Sequence, residues 1–270
     1  MPREIGLNTL AYLQKAADNK VEQKEILKEI KEMGFPFVEV RREYILSGKT
    51  EMKEIAQQAA DLNLKVFYSV PAELFTAGAL NAQLGSYFEE AALLNAVQLK
   101  LTLGEFQGLT SVLAEKLREL LTNFSVHLTV ENDQSIGKGS PDVLMAFIAE
   151  ARKASLDIGL TFDTGNFVYI DIDPFVAANA MNEAVTYIHI KNVGYAAEGI
   201  VLSGLETGLV DMRRLLSCFP DSVPASIEYP CGGGEEATET MRADRNKLRS
   251  WGRTSTKPLG TFRGVGESHP

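Results

Sequence analysis

The 270-residue chain has little cysteine, histidine or tryptophan: two, three and one residue respectively. Its two cysteines, Cys218 and Cys231, are too few for a disulfide framework and make no CxxC metal pair, which suits a reducing compartment. A basic excess is also absent. The 27 Lys and Arg against 36 Asp and Glu leave a net charge of −9, which argues against a nucleic-acid partner that must be met with a basic footprint. No uninterrupted apolar run approaches the ~20 residues of a membrane span. The start, Met1-Pro2-Arg3-Glu4, shows no apolar run after its charges, so no signal peptide is visible. With 45% hydrophobic and 23% charged residues, the expectation is an ordinary globular cytoplasmic protein, with no nucleic-acid and no membrane partner.

Short apolar runs alternate with amphipathic helical stripes from end to end. Strands are expected at 4–9, 37–41, 65–70, 98–103, 126–131, 157–163, 185–191 and 224–228. Between them lie helical patterns such as Ile26, Leu27, Ile30 and Met33, closed by Gly34. A second stripe comprises Met52, Ile55, Ala56, Ala59 and Leu62. Further helices are expected at 86–96, 110–121, 141–152, from 174 onward, at 210–218 and at 236–249. Alternation of this kind implies a parallel sheet, since parallel neighbours need crossover connections. Eight units in one chain favour closure, so the fold class expected is α/β, a single-domain (β/α)8 TIM barrel over 1–251. Residues 252–270, rich in Gly, Ser, Thr and Pro without periodicity, are expected to form a poorly ordered tail.

Strands buried between barrel interior and helices are normally apolar on both faces; these are not. Val38 and Val40 share one face while Glu39 and Arg41 share the other. Leu99 and Leu101 stand opposite Lys100 and Thr102, and Leu128 and Val130 opposite His127, Thr129 and Glu131. Ile158, Leu160 and Phe162 stand opposite Gly159, Thr161 and Asp163, and Ile188 and Ile190 opposite Tyr187, His189 and Lys191. Ile227 lies opposite Ser226 and Glu228. Because an unpaired charge between strand and helix is costly, the apolar set must face the helices and the polar set the barrel. Asn8, Glu39, Arg41, Lys100, Glu131, Asp163, His189, Lys191 and Glu228 should then meet at the C-terminal mouth, where TIM-barrel active sites lie. Glu39, Arg41 and Lys100 fit a substrate contact and a structural ion pair equally well. Glu131, Asp163, His189 and Glu228 would repel and desolvate one another without a cation, and a divalent metal resolves that conflict.

Four motifs then occur in order: Leu128-Thr129-Val130-Glu131-Asn132, Thr161-Phe162-Asp163-Thr164-Gly165-Asn166, Tyr187-Ile188-His189-Ile190-Lys191-Asn192 and Ser226-Ile227-Glu228-Tyr229. Together they resemble the strand motifs of the xylose isomerase-like TIM-barrel superfamily (the sugar phosphate isomerase/epimerase family), over about residues 4–250. The resemblance implies metal ligands at Glu131, Asp163, His189 and Glu228, with Glu131 and Glu228 as the acid–base pair. It implies a small carbohydrate substrate, phosphorylated or not, and a homo-oligomer by analogy. Asn8, Glu39, Arg41, Lys100, Asn166 and Lys191 are the expected substrate-facing residues. Asn166 stands where several relatives carry a second histidine, and Asn192 where an aspartate is common. The donor set, three carboxylates and one imidazole, favours Mn²⁺ or Mg²⁺ and is compatible with Zn²⁺, Co²⁺ or Ni²⁺.

The expected reaction is isomerisation or epimerisation through proton abstraction next to a carbonyl. An inosose-type dehydratase would begin with the same abstraction. An AP endonuclease-like hydrolase would use a zinc cluster and many histidines; here His127 lies four residues down the strand from Glu131 and His269 lies in the tail. A non-catalytic sugar-binding barrel is the third alternative, against which an intact ligand set argues. Cys231-Gly232-Gly233-Gly234 precedes a helix where barrels often bind phosphate, but Glu235 and Glu236 could satisfy that helix end themselves, so a plain loop is preferred. Phe67, Tyr68, Phe75, Tyr87, Phe88 and Trp251 read as core and pocket wall.

Overall fold

The computed structural model describes residues 2–13 and 21–251; the expected tail at 252–270 lies outside them. Eight parallel strands form the barrel: β1 (Ile5–Asn8), β2 (Phe37–Arg41), β3 (Lys65–Thr76), β4 (Gln98–Gly104), β5 (His127–Glu131), β6 (Ile158–Asp163), β7 (Val185–Ile190) and β8 (Ala225–Ile227). Each pairs with its sequence neighbours, and β1 pairs with both β2 and β8, so the sheet closes on itself. The outer ring is α1 (Gln23–Glu32), α2 (Gly48–Asp61), α3 (Leu84–Leu93), α4 (Ser111–Asn123), α5 (Pro141–Lys153), α6 (Pro174–Met181), α7 (Met212–Leu216) and α8 (Gly234–Ser250). The chain is thus a single-domain (β/α)8 barrel. Among the described residues no helix is long and apolar enough to cross a membrane.

Local chemistry places the helix ends. The Thr110 and Asp173 side chains cap α4 and α6 by accepting from backbone N–H groups, and Pro141 and Pro174 open α5 and α6, where a missing N–H costs nothing. Gly34 follows α1 at φ +85°, the left-handed conformation that closes many helices. Ile26, Leu27 and Ile30 of α1 are buried, as their spacing requires.

The parity argument holds residue by residue. Val38, Val40, Leu99, Leu101, Leu128, Val130, Leu160, Phe162, Ile188, Ile190 and Ile227 belong to the large core between strands and helices. A separate, small cluster of Phe37, Phe67 and Tyr187 fills the barrel interior, with Phe37 stacked on Phe67 at 4.4 Å between ring centroids. Gly6 makes room for that plug: a Cβ there would lie 2.0 Å from the Phe37 ring. Above the plug the interior turns polar.

Two elements depart from the sequence expectation. Strand β3 runs on past Val70 to Thr76, crossing an irregularity in its pairing with β4 between Ser69 and Glu73, and then folds back onto a short strand at Ala79–Leu80. Pro71 sits inside that irregularity, where a missing ladder donor is tolerated. After β7 the chain forms an antiparallel hairpin, Asn192–Ala196 with Gly199–Ser203, in a stretch where no element was expected.

Candidate metal centre and active site

Glu131 ends β5, Asp163 ends β6, His189 is the penultimate residue of β7, and Glu228 directly follows β8. One ligand atom from each lies within 4.8 Å of the others, and all four residues are buried. His189 Nδ1 contacts a Glu131 oxygen closely and lies 3.1 Å from Glu228 Oε2. Its other nitrogen, Nε2, is held by Glu39 at 2.8 and 3.0 Å. Glu39 is fully buried one layer deeper, where its carboxylate also accepts from the Tyr187 hydroxyl at 2.8 Å and from Ser226 Oγ at 3.1 Å. With Nε2–H donated to Glu39, the Nδ1 lone pair would point at the two glutamates, which is the tautomer a metal ligand needs.

Asp163 is held by backbone and amide groups. Its Oδ1 accepts from the N–H groups of Gly165 and Asn166 at 2.8 and 2.9 Å. The Asn132 side chain accepts from the Asp163 N–H at 2.8 Å and donates to its carbonyl at 3.0 Å. These bonds leave Oδ2 as the free face; it is buried and hydrogen-bonded to no described residue, with the Lys191 ammonium as an ion-pair contact at 2.6 Å. An oriented carboxylate oxygen met by the Lys191 ammonium, beside two further carboxylates and an imidazole, offers the donor set of a hard divalent cation. The residues present therefore fit such an ion.

The cations of the mouth each meet a carboxylate. Lys100 donates to Glu131 Oε2 at 2.8 Å, and Arg41 donates to Glu228 Oε1 at 2.8 Å and to Glu43 at 2.6 Å. Lys191 also lies 3.9 Å from Glu228. Asn8 donates to Glu228 at 3.4 Å while its oxygen caps the following turn through Leu10 N–H. Asn166 donates to the Asn132 carbonyl at 2.8 Å and accepts from Gln134 at 3.1 Å. Of the ten candidate site residues, Glu39 departs from expectation: it lies beneath the mouth, fully buried on His189, Tyr187 and Ser226, and does not face a substrate, because strand parity sets its side but not its depth. Asn192 instead supports the loop beyond β7, donating to the carbonyls of Leu205 and Val210 and accepting from Val193 and Val210 N–H.

Electrostatics follow from this crowding. Burial raises the carboxyl pKa of Glu131, but Lys100 and His189 outweigh it and hold it down at about 2. Burial likewise opposes ionisation of Glu228, yet His189, Lys191 and Arg41 hold it well below the usual range. Asp163 moves the other way, up to about 6, because burial and the two flanking glutamates outweigh Lys191. His189 is raised well above its ordinary value: burial opposes the charge, but Glu228, Glu39 and Glu131 favour it. His127 lies away from this group, half-buried at the opposite end of β5 with Nε2 3.2 Å from Thr186 Oγ1. Helix α8 opens at Gly234 with Glu235 and Glu236 in its first turn, so acidic groups already occupy the end where a phosphate was considered.

Residues the sequence reading did not single out complete the support: Asn132 and Tyr187 hold Asp163 and Glu39, and Ser226 shares that Glu39 carboxylate. Parity places Tyr187 and Ser226 inward; Asn132, one residue beyond its strand, carries no periodic signal.

No protein-family model matches the sequence, and no curated protein matches it. Solved structures do match. An L-ribulose 3-epimerase superposes with a TM-score of 0.67 at 18% identity, covering 92% of this chain and 94% of that one. A xylose isomerase-like TIM-barrel protein from Mycobacterium smegmatis in complex with magnesium gives 0.62 at 18%, covering 92% and 96%. A probable 3-DHS dehydratase from Bacillus anthracis gives 0.62 at 15%, covering 91% and 98%. The chain therefore shares the TIM-barrel fold of these structures. Within that fold it carries, at the C-terminal mouth, a buried Glu–Asp–His–Glu group that could hold a metal ion.

Proposed function

We propose that the protein is a metal-dependent isomerase or epimerase acting on a small sugar or sugar phosphate through proton abstraction next to a carbonyl. The observation that carries this reading is the convergence of Glu131, Asp163, His189 and Glu228 on one point, with Glu131 and Glu228 arriving from β5 and β8, separated by the strands that bear the other two. Epimerase and magnesium-bound neighbours of the same fold support it.

In this reading the four side chains hold one divalent ion, Mn²⁺ or Mg²⁺ by the hardness of the donors. Bound there, the ion supplies Lewis acidity to a carbonyl oxygen and its neighbouring hydroxyl, so that charge developing on proton loss is stabilised. Glu131 and Glu228 flank the substrate. One, as carboxylate, takes the proton beside the carbonyl; the other, ionised at rest, relays a proton from solvent or a substrate hydroxyl to the opposite face. Return to the same carbon epimerises, and return to the adjacent carbon, with a proton shifted between oxygens, isomerises. Glu39 keeps His189 in the tautomer that ligates. Lys100, Arg41 and Lys191 hold the carboxylates in their ionised forms and line the substrate's path with Asn8 and Asn166.

The test is exchange of the α-proton of a ketose panel with solvent deuterium by the manganese-loaded protein, followed by NMR. Exchange that disappears in Glu131→Gln and Glu228→Gln supports the acid–base assignment. Wild-type exchange in either variant removes that glutamate from the role, and exchange accompanied by loss of water from the substrate would identify a dehydratase instead.

A further inference from the structure

Opposite the metal-binding side of the mouth, three inward residues stand in one row across adjacent strands. Arg41 of β2 pairs in register with Ser69 of β3, and Ser69 with Lys100 of β4. Ser69 has no exposure, and its hydroxyl finds no hydrogen-bond partner among the described residues. Buried hydroxyls are ordinarily paired, so an orphan next to a candidate site asks for a partner that arrives with a ligand. Directly after Ser69 the β3–β4 pairing becomes irregular, a device that re-aims side chains beside active sites.

The row is rich in donors and poor in acceptors. An arginine has five N–H donors and a lysine three. Among the described residues Arg41 donates through Nε to Glu43 and through Nη1 to Glu228, leaving Nη2 unused. Among the described residues Lys100 donates to Glu131 alone, leaving two N–H groups. The Ser69 hydroxyl adds a further donor. A sugar hydroxyl would use Ser69 and the nearby carboxylates but leave spare N–H groups of Arg41 and Lys100 unmatched. An oxyanion, which only accepts and can take two parallel bonds from a guanidinium, satisfies all three residues.

We propose that this row is an oxyanion subsite, and that the substrate of the metal-dependent reaction is an anionic sugar whose carboxylate or phosphate is received by Ser69 between Arg41 and Lys100. This rests on the isomerase or epimerase reading for the reaction, but the subsite itself rests on the donor row. Reception of a ligand by the buried Ser69 requires the Arg41 and Lys100 side chains, paired in the free protein with Glu228 and Glu131, to move.

Binding of three probes sharing one carbon skeleton tests it: D-glucitol, D-gluconate and D-glucitol 6-phosphate, titrated by calorimetry into the protein with and without manganese. The expected result is that one anionic probe binds at least tenfold tighter than D-glucitol and that Ser69→Ala removes most of that preference. Which anion is preferred distinguishes a sugar acid from a sugar phosphate. Ser69→Ala deletes an unpaired buried hydroxyl and touches no proposed metal ligand, so its melting temperature and manganese affinity should match the wild type, separating loss of the subsite from loss of fold. Equal binding of all three probes, or an anion preference unchanged in Ser69→Ala, overturns the proposal. Absence of manganese binding would refute the metal reading, while the probe comparison on the protein alone would still decide the subsite.

Discussion

Replacing Glu39 by glutamine probes the link between the barrel's second polar layer and its mouth. In the wild type, Glu39 receives His189 Nε2 through both oxygens, while Oε2 also serves Tyr187 and Ser226. A glutamine carbonyl at the Oε2 position keeps Tyr187, Ser226 and one contact to His189. Its amide then occupies the Oε1 position, 3.0 Å from Nε2, and presents a donor to a donor. The conflict is relieved when the imidazole proton moves to Nδ1, the nitrogen that faces Glu131 and Glu228, and that tautomer cannot ligate a metal. Loss of a partner that orients a metal-ligating histidine costs about 10–100-fold in metal affinity, or about 1.4–2.8 kcal/mol. The assay is calorimetric titration of Mn²⁺ into wild type and Glu39→Gln, with a thermal melt to show that the barrel persists. Manganese affinity within twofold of wild type, in a folded variant, would refute the reasoning that Glu39 sets the His189 tautomer.

Asp163→Asn should abolish manganese binding measured by the same titration, because the variant replaces the carboxylate oxygen that is otherwise unengaged by hydrogen bonds. Manganese affinity should fall with falling pH, since Asp163, raised to about 6, and His189, raised well above its ordinary value, both hold protons more tightly than free side chains do. Protons therefore compete with the ion at both: the loss should be about tenfold per pH unit above pH ~6, where only His189 carries one, and steeper below it. A pH-independent affinity between 5 and 8 would contradict the ligand set. Gly6→Ala drives a methyl into the Phe37 ring and should cost about 1–3 kcal/mol, seen as a melting temperature lower by roughly 2–12 °C; an unchanged melt would mean that the Phe37–Phe67 stack yields freely.

Most of the barrel was legible because its signal is redundant. Most strands state their facing twice, in an apolar set that must meet helices and a polar set that must not. Val38 and Val40 against Glu39 and Arg41 settle β2 without help from any other segment, and five further strands make the same kind of statement. The ligand group was legible for the same reason: Glu131, Asp163, His189 and Glu228 lie on the inward faces at or beside the C-terminal ends of their strands. What escaped notice lies where that redundancy ends. The hairpin at Asn192–Ser203 buries Asn192 and Val193 at its base but leaves Tyr195 and Leu202 exposed, so its alternation carries little inside–outside contrast. The extension of β3 passes through Pro71, which reads as a stop until the irregular pairing that accommodates it is seen. The depth of Glu39 within the barrel was also invisible, because parity fixes the side of a strand and not the layer. Only the contacts with Tyr187 and Ser226 place it beneath the mouth.

The central claim is that four side chains share one cation. Anomalous diffraction at the manganese edge from crystals grown with Mn²⁺ tests it most directly. A single peak within bonding distance of one atom each from Glu131, Asp163, His189 Nδ1 and Glu228, with the Lys191 ammonium moved off Asp163, is the predicted result. No peak at the mouth, or a peak held by other residues while Lys191 stays on Asp163, would contradict it.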